Sequence, residues 1–160
     1  ELCVGGTIMT GYVGVDADAF TQDGLFRTGD LARMDASGAI TITGRLKEMI
    51  NAGGLSLYPA EIEEALKQHP GVADCGVFGE RSGELEIVCA AVVLRPPCSG
   101  VEEIYDHARR QLSAKMVPRR IVPVAAIPRG ALGKIARAEL RALAQQEAQA
   151  EAADAGAAQR

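Results

Sequence analysis

The stretch GRLKEMINAGGLSLYPAEIE, residues 44–63, contains the change of pattern that decides the fold. Before it the chain alternates in short runs. LARMD (residues 31–35) and AITITG (residues 39–44) flank Ala36-Ser37-Gly38, which predicts a hairpin with glycine free to take positive φ. Asp23-Gly24 is a second turn signal. After it the period lengthens. Pro59 opens PAEIEEALKQH, whose proline suits a first helical turn and whose three glutamates lie near the positive end of the helix dipole. Ile62, Ala65 and Leu66 share one face of that helix, and Pro70-Gly71 ends it. Between the two regimes, Gly53-Gly54 joins short extended runs as a tight turn or as a place where another chain or ligand approaches the backbone.

Working outward, VADCGVFGE and EIVCAAVVL read as strands joined at Ser82-Gly83. The unbroken apolar run of the second predicts a central strand. VEEIYDHARRQLSAK is an amphipathic helix with Ile104, Ala108 and Leu112 inward, and RRIVPVAAI is a strand that Pro123 sends to an edge. ARAELRALAQQEAQ is a last helix with Leu140, Leu143 and Ala144 inward. The fold class is therefore α+β: β-strands over residues 1–46, a small sheet with packed helices over residues 47–146, and an Ala-rich tail over residues 147–160 expected to fray or be disordered for want of large apolar residues. The opening ELCVGGTIMTGYVG reads as strands entered midway, as expected of part of a longer protein.

Composition narrows the functions. The 160 residues are 48% hydrophobic with a net charge of −4. Three Tyr, three Phe, no Trp and no long basic run argue against a nucleic-acid groove with stacking platforms. No apolar run approaches a membrane span. Cys3, Cys75, Cys89 and Cys98 have no CxxC spacing, and His69 and His107 are not placed in a ligand pattern with them, so no metal site is expected. Cys75 and Cys89 fall in apolar strands, as buried free thiols suited to a reducing cytoplasm.

Several polar residues have two readings each. Asp30, closing RTGD, either accepts hydrogen bonds from vicinal hydroxyls, as in ribose recognition, or caps its own turn. Arg45 is a ribose or phosphate ligand or a solvated arginine. Lys47, at the change of pattern, is a hinge or a linker lysine. PRGALGKIAR, residues 128–137, places Lys134 after a glycine turn. It is not a Walker A loop, because the glycine spacing is wrong and Ile135 stands where Ser or Thr would hold magnesium. Lys134 is either a solvated surface lysine or a cation that meets a phosphate as a point charge on a turn.

Taken in order, GLFRTGD, GAITITGRLKEMINAGG, YPAEIE, MVP and PRGALGKIAR resemble the C-terminal motifs of the acyl-adenylate-forming superfamily. The resemblance runs to about residue 145 and is nearest to acyl- and aryl-CoA synthetases. Asn51 stands where luciferases carry their oxidation lysine, Leu25 where many members have Trp, and Leu132 where a small or polar residue commonly precedes Gly-Lys. The resemblance implies a small lid domain preceded by the last strands of a large adenylating domain, and an ATP-dependent carboxylic acid ligase with two half-reactions. By position, Asp30 would hold the ribose of ATP or AMP, Arg45 would assist at ribose or phosphate, and Lys134 would bridge carboxylate and α-phosphate. Lys47 would be the hinge, and Gly54 would line the passage for CoA or a carrier-protein phosphopantetheine. The Mg2+ site, the phosphate loop and the acid pocket would lie upstream, so this chain alone is expected to be inactive. The implied partners are that upstream domain, a carboxylic acid, and CoA or an acyl carrier protein. A non-catalytic interaction module with the lid fold is the alternative, against which the joint presence of Asp30, Arg45, Lys47, Gly54 and Lys134 argues.

Overall fold

A computed structural model describes residues 1–6, 19–83, 85–96, 98 and 100–157, with side chains described as far as residue 150. The strand expectation for residues 7–14 lies outside the described residues. The chain divides into two compact units, Glu1–Met49 and Ile50–Arg160.

The first unit is built of antiparallel pairs. β1 (Cys3–Val4) pairs with β2 (Phe26–Arg27), and β3 (Asp30–Met34) pairs with β4 (Ile40–Arg45). The hairpin turn is set by Asp35. Its Oδ1 accepts from the Ser37 and Ala39 N–H groups and the Ser37 hydroxyl, and Gly38 takes φ 87°. Donation from Ser37 and then from the Ala39 backbone holds the Asp35 carboxyl below its ordinary pKa. A 3-10 turn, Leu46–Glu48, closes the unit.

The second unit is a three-stranded sheet covered on both faces. β7 (Val72–Ser82) pairs antiparallel with β8 (Leu85–Leu94), and β9 (Arg120–Pro123) joins the far side of β8 in parallel. The apolar run of β8 is thus central and the proline strand lies at an edge, as the sequence predicts. Alternation divides the core. Cys75, Val77, Val88, Ala90, Val92 and Ile121 face one way, against α1 (Pro59–Lys67), α2 (Val101–Gln111) and the hairpin β5 (Ile50–Ala52)–β6 (Leu55–Leu57). Phe78, Cys89, Ala91 and Val122 face the other way, against α3 (Arg137–Ala157) and the segment that leads into it. Ile62, Leu66, Ile104, Ala108, Leu140 and Ala144 are buried as their helical spacing requires. Each large apolar side chain so buried contributes about 1.5–3 kcal/mol.

Two boundaries differ from expectation. α2 stops at Gln111 because Leu112 turns extended to pack on the first cluster. α3 continues through Ala157, well past residue 146. Ala, Glu and Gln have high intrinsic helix propensity, which continues a helix already nucleated by the packed Leu140 and Ala144.

Candidate functional site

In the first unit, the RTGD turn positions its aspartate. Thr28 accepts the Asp30 N–H through Oγ1 (3.0 Å) and donates its own hydroxyl to the Leu2 carbonyl (2.8 Å). Gly29, at φ 71°, makes the turn that a side chain would strain. Asp30 then lies directly opposite Arg45 in the β3–β4 ladder, and Arg45 Nε donates to Asp30 Oδ1 at 2.9 Å. Two residues 15 positions apart in sequence are thereby placed side by side. Arg45, Lys47, Arg27, Thr28 and Gly29 line one open cavity of about 480 Å³. Of its three cations, Arg27 is paired with Glu1 at 3.5 Å and Arg45 with Asp30, and Lys47 adds a further positive charge. Lys47 is exposed in the 3-10 turn.

In the second unit, Gly53 and Gly54 form the two-residue turn of the β5–β6 hairpin, at φ 60° and 81°. Positive φ at both central positions is the geometry that matches strand twist, and it favours glycine. The hairpin is fixed from below by Ile50 and Leu57, both buried, and from the side by Glu86, whose Oε2 accepts the Asn51 N–H at 2.8 Å. Gly79 leaves room for that carboxylate, since a Cβ there would fall 2.0 Å from Glu86 Oε1. Beside the turn, Ala52, Gly53, Val88, Val117, Lys115 and Arg119 help to line a cavity of about 360 Å³.

Lys134 belongs to the other face of the sheet. It sits exposed in a closed loop between β9 and α3, where Gly130 N–H donates to the Lys134 carbonyl and Ala136 N–H to the Pro128 carbonyl (2.9 Å each). Ile135 packs into the second core cluster. Gly54 and Lys134 are therefore presented from opposite faces of one sheet.

The sequence reading missed what fastens that loop. Both ends of PRGALGKIAR are arginine-anchored to β7. Arg129 forks onto both oxygens of Asp74 at 3.0 and 2.7 Å. Arg137 Nη1 donates to Glu63 Oε1 (2.7 Å) and to the Val77 carbonyl (2.5 Å), while the same Glu63 oxygen accepts the Val77 N–H (2.9 Å). Glu63 and Arg137 thus occupy the open edge of β7, which would otherwise present unpaired backbone groups. Glu63 is buried, so its part differs from the helix-dipole role expected of the α1 glutamates. The two arginines flanking the glycine turn were the available signal; their partners, 55 and 74 residues away, were not.

Burial raises the pKa of Asp74, but donation from Arg129 and the Cys75 N–H, with the charges of Arg129 and Lys67, outweighs it and holds the carboxyl below its ordinary value. Burial pushes the Cys75 and Cys89 thiols up to about 12, which keeps both protonated. Among the described residues no group of three His, Cys, Asp or Glu side chains is placed to hold a metal ion, and no helix is long and apolar enough to cross a membrane.

The AMP-binding enzyme C-terminal domain family matches residues 61–134. A long-chain-fatty-acid–CoA ligase of Escherichia coli is 40% identical over 145 residues, covering 88% of this chain and 26% of the relative. The 4-coumarate–CoA ligase-like protein 5 of Oryza sativa is 41% identical over 139 residues, covering 82% of this chain and 25% of the relative. Among solved structures, the o-succinylbenzoate CoA synthetase of Bacillus subtilis in complex with its acyl-adenylate intermediate aligns with a TM-score of 0.76 at 31% identity, over 83% of this chain and 28% of that one. The chain spans about a quarter of the length of these curated relatives. Motif order and these likenesses agree that the chain matches the C-terminal part of adenylate-forming enzymes, its named relatives being acyl- and aryl-CoA ligases.

Proposed function

We propose that the chain is the terminal portion of an ATP-dependent carboxylic acid–thiol ligase, which forms an acyl-adenylate and then passes the acyl group to CoA or a carrier-protein phosphopantetheine. The observation that carries this reading is the placement of Lys134 and the Gly53-Gly54 turn on opposite faces of one sheet. Adenylate formation needs positive charge at the α-phosphate, and thiol attack needs that charge removed and an open passage provided. A domain that turns about Lys47 meets both needs by presenting one face and then the other.

In the first state Asp30 accepts hydrogen bonds from the ribose hydroxyls, with Arg45 aligning its carboxylate and adding charge near the phosphates. Lys134 lies between the acid carboxylate and the α-phosphate and stabilises the charge that builds as pyrophosphate leaves. In the second state the bare Gly53-Gly54 backbone lets the pantetheine arm pass, and Lys115 and Arg119 offer charge to the acceptor's phosphates. Mg2+ accompanies ATP and is assigned to residues upstream, as are the acid pocket and the phosphate loop. Four free cysteines, two of them buried, fit a cytoplasmic setting. The isolated 160-residue chain is expected to catalyse no carboxylate-dependent pyrophosphate exchange.

Lys134→Ala in the full-length ligase tests the reading. Adenylation is expected to fall about a hundred- to a thousandfold, worth about 3–4 kcal/mol, while supplied acyl-adenylate is still converted to thioester. Equal losses in both half-reactions, measured separately by stopped flow, overturn it.

A further inference from the structure

We propose that Arg129 and Asp74 form a clasp that positions Lys134, so that the lysine is delivered on a loop already locked in its working shape. The inference rests on the role given to Lys134 above. Arg129 is the first arm of the PRGALGKIAR loop. One of its terminal nitrogens forks onto both Asp74 oxygens, and the other donates to the Gly133 carbonyl at 2.9 Å. That carbonyl belongs to the peptide bond leading into Lys134. A single guanidinium therefore ties the strand β7 to the backbone immediately before the lysine. Within the loop, Gly133 N–H donates to the Gly130 carbonyl, and Gly130 N–H to the Lys134 carbonyl, at 2.9 Å each. Gly133 sits at φ 74°, a conformation most residues avoid.

Asp74 faces the loop because β7 is irregular. Strict alternation would put Val72 and Asp74 on the same face, yet Val72 is buried in the cluster opposite the loop. A register shift between Val72 and Asp74 allows both: the valine stays in its core and the carboxylate turns to the loop side. Lys67 approaches the same carboxylate at 3.4 Å, and Cys75 N–H donates to it at 2.9 Å, so Asp74 is itself held.

Magnitudes favour positioning over stability. The Arg129 and Asp74 side chains are 38% and 30% exposed, and ion pairs so open to water contribute little to folding. What a forked guanidinium supplies at low cost is direction, because its donors are fixed in a plane. A misplacement of about 1 Å in a catalytic group costs on the order of a hundredfold in rate. Arg129 and Asp74 touch no reacting atom in this scheme; they act through Lys134.

The test uses the full-length ligase with Arg129→Gln, Asp74→Asn and the milder Arg129→Lys, each alone and on a Lys134→Ala background. Arg129→Gln and Asp74→Asn are expected to lower kcat for adenylation about ten- to a hundredfold. The KM for ATP should stay within about threefold and thioester formation from supplied acyl-adenylate within about twofold, since uniform binding is untouched. On the Lys134→Ala background neither adds a further loss, because the clasp has nothing left to position. Wild-type adenylation rates in the clasp variants, equal losses in both half-reactions, or additional losses beyond Lys134→Ala would each overturn the clasp. If Lys134→Ala itself leaves adenylation intact, the catalytic reading of Lys134 falls, and the clasp loses its purpose with it. Should the stronger variants fold poorly, hydrogen exchange on Arg129→Lys decides: faster exchange confined to residues 130–136 supports the clasp, and unchanged exchange there overturns it.

Discussion

On one face of the β7–β8–β9 sheet, the Gly53-Gly54 turn is held from beneath by buried Ile50 and Leu57, with Glu86 steadying the backbone at Asn51. On the other face, the turn before Lys134 is held by side-chain charge, with Arg129 on Asp74 and Arg137 on Glu63. Both turns are exposed and both use glycine at positive φ. The means of fastening matches what each one offers. Apolar burial fixes a hairpin whose exposed part is bare glycine backbone. Ionic clasps fix a loop whose exposed part is a cation, and they do so without covering it. One small sheet can thus present two chemistries, because alternation along its strands lets two cores form back to back.

If the faces serve in turn, locking the hinge should separate them most strongly. Lys47→Pro in the full-length ligase is expected to leave adenylation within roughly tenfold of wild type and to lower thioester formation by about a thousandfold, because a fixed φ stops the turn. Lys47 lies in a 3-10 turn, whose φ proline accepts, although Leu46 before it is helical and proline disfavours that, so a modest adenylation loss is included. Lys47→Ala should affect both steps only mildly. Similar behaviour of the two variants in separate half-reaction assays breaks the alternation.

Next in size is the buried ionic anchor. Glu63→Ala leaves Arg137 and the Val77 N–H without their shared acceptor and should cost about 2–3 kcal/mol of stability. Glu63→Gln keeps an oxygen for Val77 and should cost less. Urea unfolding of both variants checks this, and equal losses would show that the charge of Glu63 is unimportant.

A smaller effect distinguishes strain from obstruction at Gly54. Nothing lies within 4 Å of a Cβ built there, so any side chain pays mainly for positive φ, about 1–2 kcal/mol. Gly54→Ala and Gly54→Leu should therefore melt alike. Only Leu should slow thioester formation, roughly tenfold beyond Ala, with adenylation spared in both. Identical thioester rates would make Gly54 a turn residue and nothing more.

The smallest effect is set by pH. The native pKa of Asp74 is depressed, so the stabilisation it provides is complete above the ordinary carboxylate value of 3.8 and is lost as pH falls through the lower native value. Hydrogen exchange below that pH should rise first at residues 129–136, with the Ile50–Leu57 hairpin protected by its apolar base. Loss at both turns together would mean that they are not fastened differently.

The sequence alone determined the α+β class, the central place of the Cys89 strand, the edge place of the Pro123 strand and the inward faces of the helices, because each follows from spacing within one segment. It also singled out Asp30, Arg45, Lys47, Gly54 and Lys134 as candidates, through the resemblance that the order of their short motifs bears to a known family. Tertiary structure decided the rest. Arg45 meets Asp30 through the register of a hairpin with a bulge between Leu31 and Ala32. Asp74 reaches Arg129, and Glu63 reaches Arg137, across 55 and 74 residues. No local pattern encodes those pairings: a carboxylate on a strand or helix reads the same whether it meets water or an arginine, and only the packing of β7 between two faces chooses.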